Sequence, residues 1–225
     1  MEAVFLGMND AGEKVYDWMN EREDVEVLAL LTEKSQLSLI KELEPDIVIS
    51  SGFEHKVPQE IIDVPEDGIV NLHPSYLPYN RGSHPYIWPL VDGTPAGVSI
   101  HFMTEEIDEG PVIDKEKVKA RPQDTSKSLR DRLMKKQAEL FKENWERIKE
   151  RPKANDQMKN TGTTHYRKEL DEFSRLEMRE EKRVEDVINK LRALSYTEAG
   201  VAFFEKDGER FYVNLSITPE SEIDG

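Results

Sequence analysis

The chain has 225 residues, 37% apolar and 34% charged, with 46 acids against 31 lysines and arginines and a formal charge of −15. That length suits one ordinary domain with an appendage, and the composition is well short of a disordered one. The acidic surface disfavours broad nucleic-acid binding because it repels phosphate backbones, and the absence of cysteine excludes disulfides, thiol catalysis and Cys-ligated metal.

The longest apolar run, Val27 to Leu31, is too short to span a bilayer. The first residues, Met-Glu-Ala-Val, show no basic n-region and no cleavage site, so a signal peptide is not expected. The expected location is therefore cytoplasmic, with no membrane partner.

In chain order, Ala3 to Leu6 reads as a first strand stopped by Gly7. A helix from Ala11 to Met19 follows, then a second strand over Val25 to Leu31. Leu37 to Leu43 has helical spacing of its apolar residues. Asp46 to Ser50 and Gly68 to Leu72 read as strands three and four. Near-continuous apolar strands alternating with helices predict a Rossmann-like α/β fold, a mostly parallel sheet with helices on both faces. Val98 to Met103 and Pro111 to Val118 give two more strands, with a connection short enough for an antiparallel return. Thr125 caps a long helix to about Glu150, whose Leu129, Leu133, Leu140, Phe141, Trp145 and Ile148 fall on one face.

This organisation places a catalytic domain over 1–150, a polar linker over 151–180 and a small α+β module over 181–225. In the last, a helix over Val184 to Leu194 precedes a hairpin marked by Asp207-Gly208 between apolar runs. Val201, Phe203, Phe211 and Val213 are assigned to one face of that hairpin, which would need covering.

Gly7 to Gly12 has the spacing of a phosphate loop, but Glu13 stands where that loop needs lysine. A tight strand-to-helix turn is the better reading. The stretch 68–110 is more informative. Asn71 and His73 alternate onto one side of a strand, at its C-terminal end, where open α/β sheets build their sites. The loop that follows holds Pro74, Pro78, Asn80 and Gly82, which oppose a helix, and Arg81 puts a cation near the site. Asp108 lies in a turn before Gly110. The five histidines, 55, 73, 84, 101 and 165, form no convincing metal-ligand set, so no metal is expected; the four other than His73 are assigned to surface or core.

Three motifs appear in order: Asn71-Leu72-His73 with Ser75-Tyr76-Leu77-Pro78 and Arg81-Gly82; Gly97 to His101; and Ile107-Asp108-Glu109-Gly110. Together they resemble the formyltransferase family that uses 10-formyltetrahydrofolate, over roughly residues 1–150. The resemblance implies Asn71, His73 and Asp108 as the catalytic set. An amine attacks the formyl carbon; Asn71 and a protonated His73 donate to the developing oxyanion. Asp108 holds His73 charged and accepts the amine's proton. It also implies that the formyl donor lies between the loop after strand three, with Gly52, Phe53 and Val57, and the loop containing Thr104 and Ile107.

The string from His73 to Gly82, followed by His84-Pro85-Tyr86-Ile87-Trp88, looks most like the sugar N-formyltransferases, which act on nucleotide-linked amino sugars. Tyr76, Arg81 and Tyr86 are the candidates for substrate contact; Tyr79 and Trp88 are further rings able to stack. The tail is similar in kind to those enzymes' C-terminal parts, which implies a homodimer. The alternatives are glycinamide ribonucleotide or methionyl-tRNA formyltransferase, a formyltetrahydrofolate hydrolase, and a folate binder without turnover. The acidic charge and short tail oppose tRNA. The His165-Tyr166-Arg167-Lys168 run is a basic spot, read as solvated linker ahead of a phosphate contact.

Overall fold

The computed structural model describes residues 1–150, 154–158, 161–197 and 200–223. In chain order the catalytic part comprises β1 (Glu2–Leu6), α1 (Asp10–Asn20), β2 (Glu26–Leu31), α2 (Leu39–Leu43), β3 (Ile47–Ser51), α3 (Gln59–Ile62), β4 (Ile69–His73), β5 (Arg81–Gly82), α4 (Trp88–Asp92), β6 (Gly97–Phe102), β7 (Val112–Lys117) and α5 (Ser126–Lys149). The remainder comprises β8 (Thr164–His165), α6 (Arg167–Ser174), α7 (Val184–Ala193), β9 (Ala202–Lys206) and β10 (Glu209–Val213).

Six strands form the main sheet in the order β2-β1-β3-β4-β6-β7. The first four run parallel; β6 is antiparallel to both β4 and β7. The fold is thus the mostly parallel, helix-covered sheet expected, with one reversed strand. Alternation along the strands divides the core. Ala3, Phe5, Ile47, Ile49, Val70, Leu72, Val98 and Ile100 pack with α1 and with Leu129, Leu133, Phe141 and Trp145 of α5. On the other face Val4, Leu6, Val48 and Ile69 pack with Ile40 of α2 and Ile61 and Ile62 of α3. Thr125 caps α5 as its sequence position demands: its hydroxyl accepts from Ser128 N at 3.3 Å.

This division determines where the polar residues of β4 point. Val70 and Leu72 face the α5 side, so Asn71 and His73 face the other, just beyond the cover that α2 and α3 provide. In the β4–β6 register Asn71 lies opposite His101 and His73 opposite Ser99. Directly paired residues share a face, so His101 projects beside Asn71.

Two expectations need correction. The segment assigned as a linker carries β8 and α6 and is laced to the catalytic part. Asn155 exchanges two 2.8 Å backbone bonds with Val112, and β8 pairs with β5 in parallel. Its polar sequence serves hydrogen bonds to loops in place of burial. In the C-terminal hairpin, Asp207 and Gly208 both adopt positive φ, and Lys206 pairs with Glu209. That two-residue turn puts Phe204 opposite Phe211 and Phe203 opposite Tyr212. Phe203 and Phe211 therefore lie on opposite faces, not one.

Candidate active site

Asn71, His73 and Asp108 meet at the C-terminal end of β4, on the floor of a cleft of about 660 Å³. Asp108 arrives from the β6–β7 connection with a left-handed φ of 54°, a conformation that Asp tolerates better than most residues. Its Oδ2 accepts from Gly82 N at 2.8 Å and stands 3.5 Å from His73 Nε2. Its Oδ1 lies 3.4 Å from His101 Nε2 and 3.5 Å from Asn71 Nδ2.

His101 is the site residue that sequence reasoning assigned to surface or core. It is almost fully buried. Its Nδ1 is 2.9 Å from the Phe102 carbonyl, which can only accept, so in the neutral ring the hydrogen sits on Nδ1 and Nε2 accepts. Asn71 Nδ2 donates to that Nε2 at 3.1 Å. The contact fixes the amide's orientation. Its signals in the sequence are its place in the Gly97 to His101 motif and at the end of an apolar strand, and neither reveals the strand pairing.

The charges follow from this packing. Burial alone would raise the Asp108 carboxyl, but the His73 imidazole and the Gly82 N–H outweigh it and hold the group well below the usual carboxylate range. For His73, burial is the largest influence and pushes the imidazole below its ordinary value of 6.5, against the pull of the Asp108 carboxylate. The protonated His73 expected from sequence is corrected accordingly: the site favours the neutral ring. The Asn80 carbonyl at 3.2 Å and the Asp108 carboxylate both face Nε2, so the hydrogen resides there and the ring remains a donor.

The two loops expected to hold the formyl donor border this floor. Gly52, Phe53 and Val57 line one wall and Thr104 and Ile107 the other. Lys56 and Glu105 approach to 4.0 Å across them. Phe53 lies edge-on to His55, and Ile107 is 46% exposed toward the opening. A cleft of this size with apolar walls and convergent polar groups has the form of a small-molecule site. Among the described residues no group of three or more His, Cys, Asp or Glu is placed to hold a metal ion.

Farther along, Tyr86 stacks on Tyr196 of the C-terminal part, with ring centroids 5.3 Å apart and planes 17° apart. Burial and the neighbouring Tyr196 raise the Tyr86 hydroxyl. Arg130, paired with Asp10 at 2.5 Å, and Arg167, 3.6 Å from Glu54, bring positive charge to this end. Tyr196 and Arg130 were not singled out in the sequence.

Tyr76 and Arg81 do not line the cleft. The Tyr76 ring lies beneath Lys115 Nζ at 4.4 Å and Lys117 Nζ at 5.2 Å. The Arg81 guanidinium is buried against Gln157 Oε1. Their expected substrate contacts are replaced by these protein partners. Tyr79 and Trp88 are likewise absent from the lining, Trp88 being stacked on His165 at 4.0 Å. From the basic spot, His165, Tyr166 and Arg167 do reach the cleft. The first glycine loop is a turn: Asn9 Oδ1 accepts from Ala11 N at 3.1 Å and Gly12 N at 2.8 Å, so α1 is capped by its own residue.

Comparison with known proteins agrees with this architecture. The formyl transferase family model matches residues 15–144, more than half of the chain, and the model of the N-formyltransferase dimerization C-terminal domain matches 169–219. A dTDP-4-amino-4,6-dideoxyglucose formyltransferase of Mycobacterium tuberculosis (strain ATCC 25618 / H37Rv) is 30% identical over 178 residues, 78% of this chain and 74% of the relative. A crystal structure from Mycobacterium tuberculosis assigned to the sugar N-formyltransferases superposes with a TM-score of 0.87 at 25% identity, covering 98% of each chain. The formyltransferase PseJ from Anoxybacillus kamchatkensis, solved with UDP-4,6-dideoxy-4-formamido-L-AltNAc and tetrahydrofolate, superposes with a TM-score of 0.68 at 26% identity, covering 76% of this chain and 89% of that one. The sheet, the reversed strand beside the site and the matched C-terminal module all point one way: the chain belongs to the formyl transferase family.

Proposed function

We propose that this chain moves a formyl group from 10-formyltetrahydrofolate to the amine of a nucleotide-linked amino sugar. The observation that carries the reading is the convergence of Asn71, His73 and Asp108 on one cleft floor between the Gly52–Val57 and Thr104–Ile107 loops. The 30% identical relative acts on a dTDP-linked amino sugar, and PseJ was solved with a UDP-linked formamido sugar and tetrahydrofolate. Arg130 and Arg167 bring two guanidinium groups to the same cleft, held there by Asp10 and Glu54, and a phosphate that takes the place of those carboxylates would meet planar paired donors.

The neutral amine of the acceptor attacks the formyl carbon. A carbon–nitrogen bond forms, the bond from that carbon to N10 of the donor breaks, and the proton lost by the amine ends on N10. When the donor binds, the Asn71 Nδ2–H now directed at Asp108 Oδ1, 3.5 Å away, and the His73 Nε2–H now directed at the Asn80 carbonyl turn to the formyl oxygen as negative charge develops on it, each such donor contributing about 3–4 kcal/mol. His101 holds the Asn71 amide in that orientation. Asp108 takes the proton and passes it on. A carboxylate held so far below its usual range is a weak base, but the N–H it meets becomes strongly acidic once nitrogen has bonded to the formyl carbon.

The C-terminal part supports a homodimer. Phe211 and Tyr212 of β10 and Val184 of α7 are exposed, at 40%, 56% and 74%. A particle of twice the chain's mass by light scattering is expected, and a monomer at micromolar concentration counts against it.

The deciding experiment supplies 10-formyltetrahydrofolate with a panel of dTDP- and UDP-linked amino-dideoxysugars, glycinamide ribonucleotide and charged initiator tRNA. Turnover on a sugar nucleotide is expected. Turnover only on one of the other acceptors, or loss of the formyl group without an acceptor, would overturn the reading.

A further inference from the structure

Gln157 lies in the polar stretch between α5 and β8, and its contacts reach the reaction centre. Gln157 Nε2 donates to the Asp108 carbonyl at 2.7 Å and to the Gly110 carbonyl at 2.8 Å. Its Oε1 accepts from Arg81 Nη2 at 2.7 Å and Nε at 3.1 Å. A primary amide has two hydrogens to give and two lone pairs to share, and here all four are engaged. Arg81 is fixed further by its Nη1, 3.4 Å from the Thr161 carbonyl and 3.7 Å from Glu109 Oε1. Its neighbour Gly82 is the residue whose N–H holds Asp108 Oδ2. The contacts therefore close a ring that runs from the Asp108 carboxylate to Gly82, along the backbone to Arg81, through Gln157 and back to the Asp108 carbonyl.

That ring meets a specific need. Asp108 holds a left-handed backbone conformation in a connection without regular structure, and a non-glycine residue stays there only when its surroundings over-determine it. Its carboxylate must lie within hydrogen-bond reach of a transient N–H, and a displacement of about 1 Å can cost on the order of 100-fold in rate. We infer that Gln157 is a positioning residue for Asp108: by pinning the carbonyls on both sides of Glu109 to the buried Arg81, it sets the height and direction from which the carboxylate enters the cleft. The inference rests on the proposed role of Asp108, yet it concerns a residue far from the three motifs and on a segment outside the formyl transferase match.

The test separates this role from support of the fold. Q157E keeps an oxygen for Arg81, and strengthens that pair by charge, but turns a second oxygen toward two carbonyls. Q157A removes both halves. If Gln157 acts through Asp108, Q157E has a melting temperature close to wild type and a kcat lowered about 10- to 100-fold, with KM for the formyl donor changed less than about threefold. Its amide exchange rises over 104–110. A merely structural role predicts the reverse order, with Q157E near wild-type kcat and only Q157A impaired, in step with its melting temperature. Wild-type kcat and exchange in Q157E would overturn the inference. Exchange over 104–110 is read with 5-formyltetrahydrofolate as probe and needs no acceptor. A wild type silent on every acceptor, with this exchange response intact, therefore defeats the reading of the reaction and supports the positioning role.

Discussion

Asp108→Asn removes one charge and leaves the shape of the side chain. The structure indicates what it keeps. An asparagine oxygen in place of Oδ2 still accepts from Gly82 N at about the present 2.8 Å, and the new amide nitrogen faces His101 Nε2, an acceptor in the neutral ring, where Oδ1 now stands 3.4 Å away. His101 Nε2 has a single lone pair, which already takes the Asn71 amide, so the new N–H competes for it and folding weakens by about 1–3 kcal/mol. The chemical loss is larger. A positioned acid–base group contributes about 10²- to 10⁴-fold, equivalent to roughly 3–5 kcal/mol of activation free energy at 1.36 kcal/mol per decade. The donor-binding loops are untouched, so KM for the donor stays within about threefold.

The variant carries a second signature. The Asp108 charge is the main influence opposing the burial that lowers the His73 imidazole; without it that imidazole falls further. Wild-type kcat drops on the acid side as His73 gains a proton and locks Asp108 in an ion pair, and in the variant that limb moves to lower pH. The assay follows formylated product by mass spectrometry from pH 5 to 8.5. A variant kcat within about threefold of wild type would refute the proton-accepting role. A limb that stays in place would refute the electrostatic coupling.

Three further outcomes are expected. A β-carbon on Gly110 would stand 1.8 Å from the Phe102 carbonyl oxygen, so G110A displaces the Asp108 connection and lowers kcat at least 10-fold, measured beside a circular-dichroism melt. His73 titrates below 6.5 in the fold and near 6.5 when unfolded; between those values the unfolded chain binds more protons, so stability, full above pH 6.5, declines as pH falls through the window. Urea unfolding from pH 7.5 to 5 should show that decline, and H73N should flatten it. Trp145, 1% exposed and packed on Trp18 and Phe141, anchors α5 to the sheet; W145A should cost about 3–5 kcal/mol in the same urea experiment.

The parts of this protein that could be read from its sequence are those specified by neighbours in the chain. Alternation in β1 and β3 divides Ala3 and Phe5 from Val4 and Leu6, and Ile47 and Ile49 from Val48, so both faces of the sheet are written locally. The same parity puts Asn71 beside His73, and Asp-Gly announces the hairpin. His101 depends on something no local pattern carries. Between β4 and β6 lies a loop with only a two-residue strand and a short helix, and its length does not say which residue of β6 will face Asn71; a slip of one position would turn His101 into the core. The hairpin face failed for a related reason, since the turn length sets which phenylalanines are paired. Gln157 is more remote still: its partners lie 47, 49 and 76 residues away in sequence, and a hydrogen-bonding strap leaves no apolar period because its hold does not come from burial. A polar stretch between two modules therefore has two physical readings, a solvated tether or a brace for loops. The difference lies in whether backbone and amide groups such as those of Asn155, Gln157 and Thr163 find partners outside the stretch. Here they do: Asn155 pairs with Val112, Thr163 holds Asn80 and Arg81, and Gln157 braces the turn that presents Asp108.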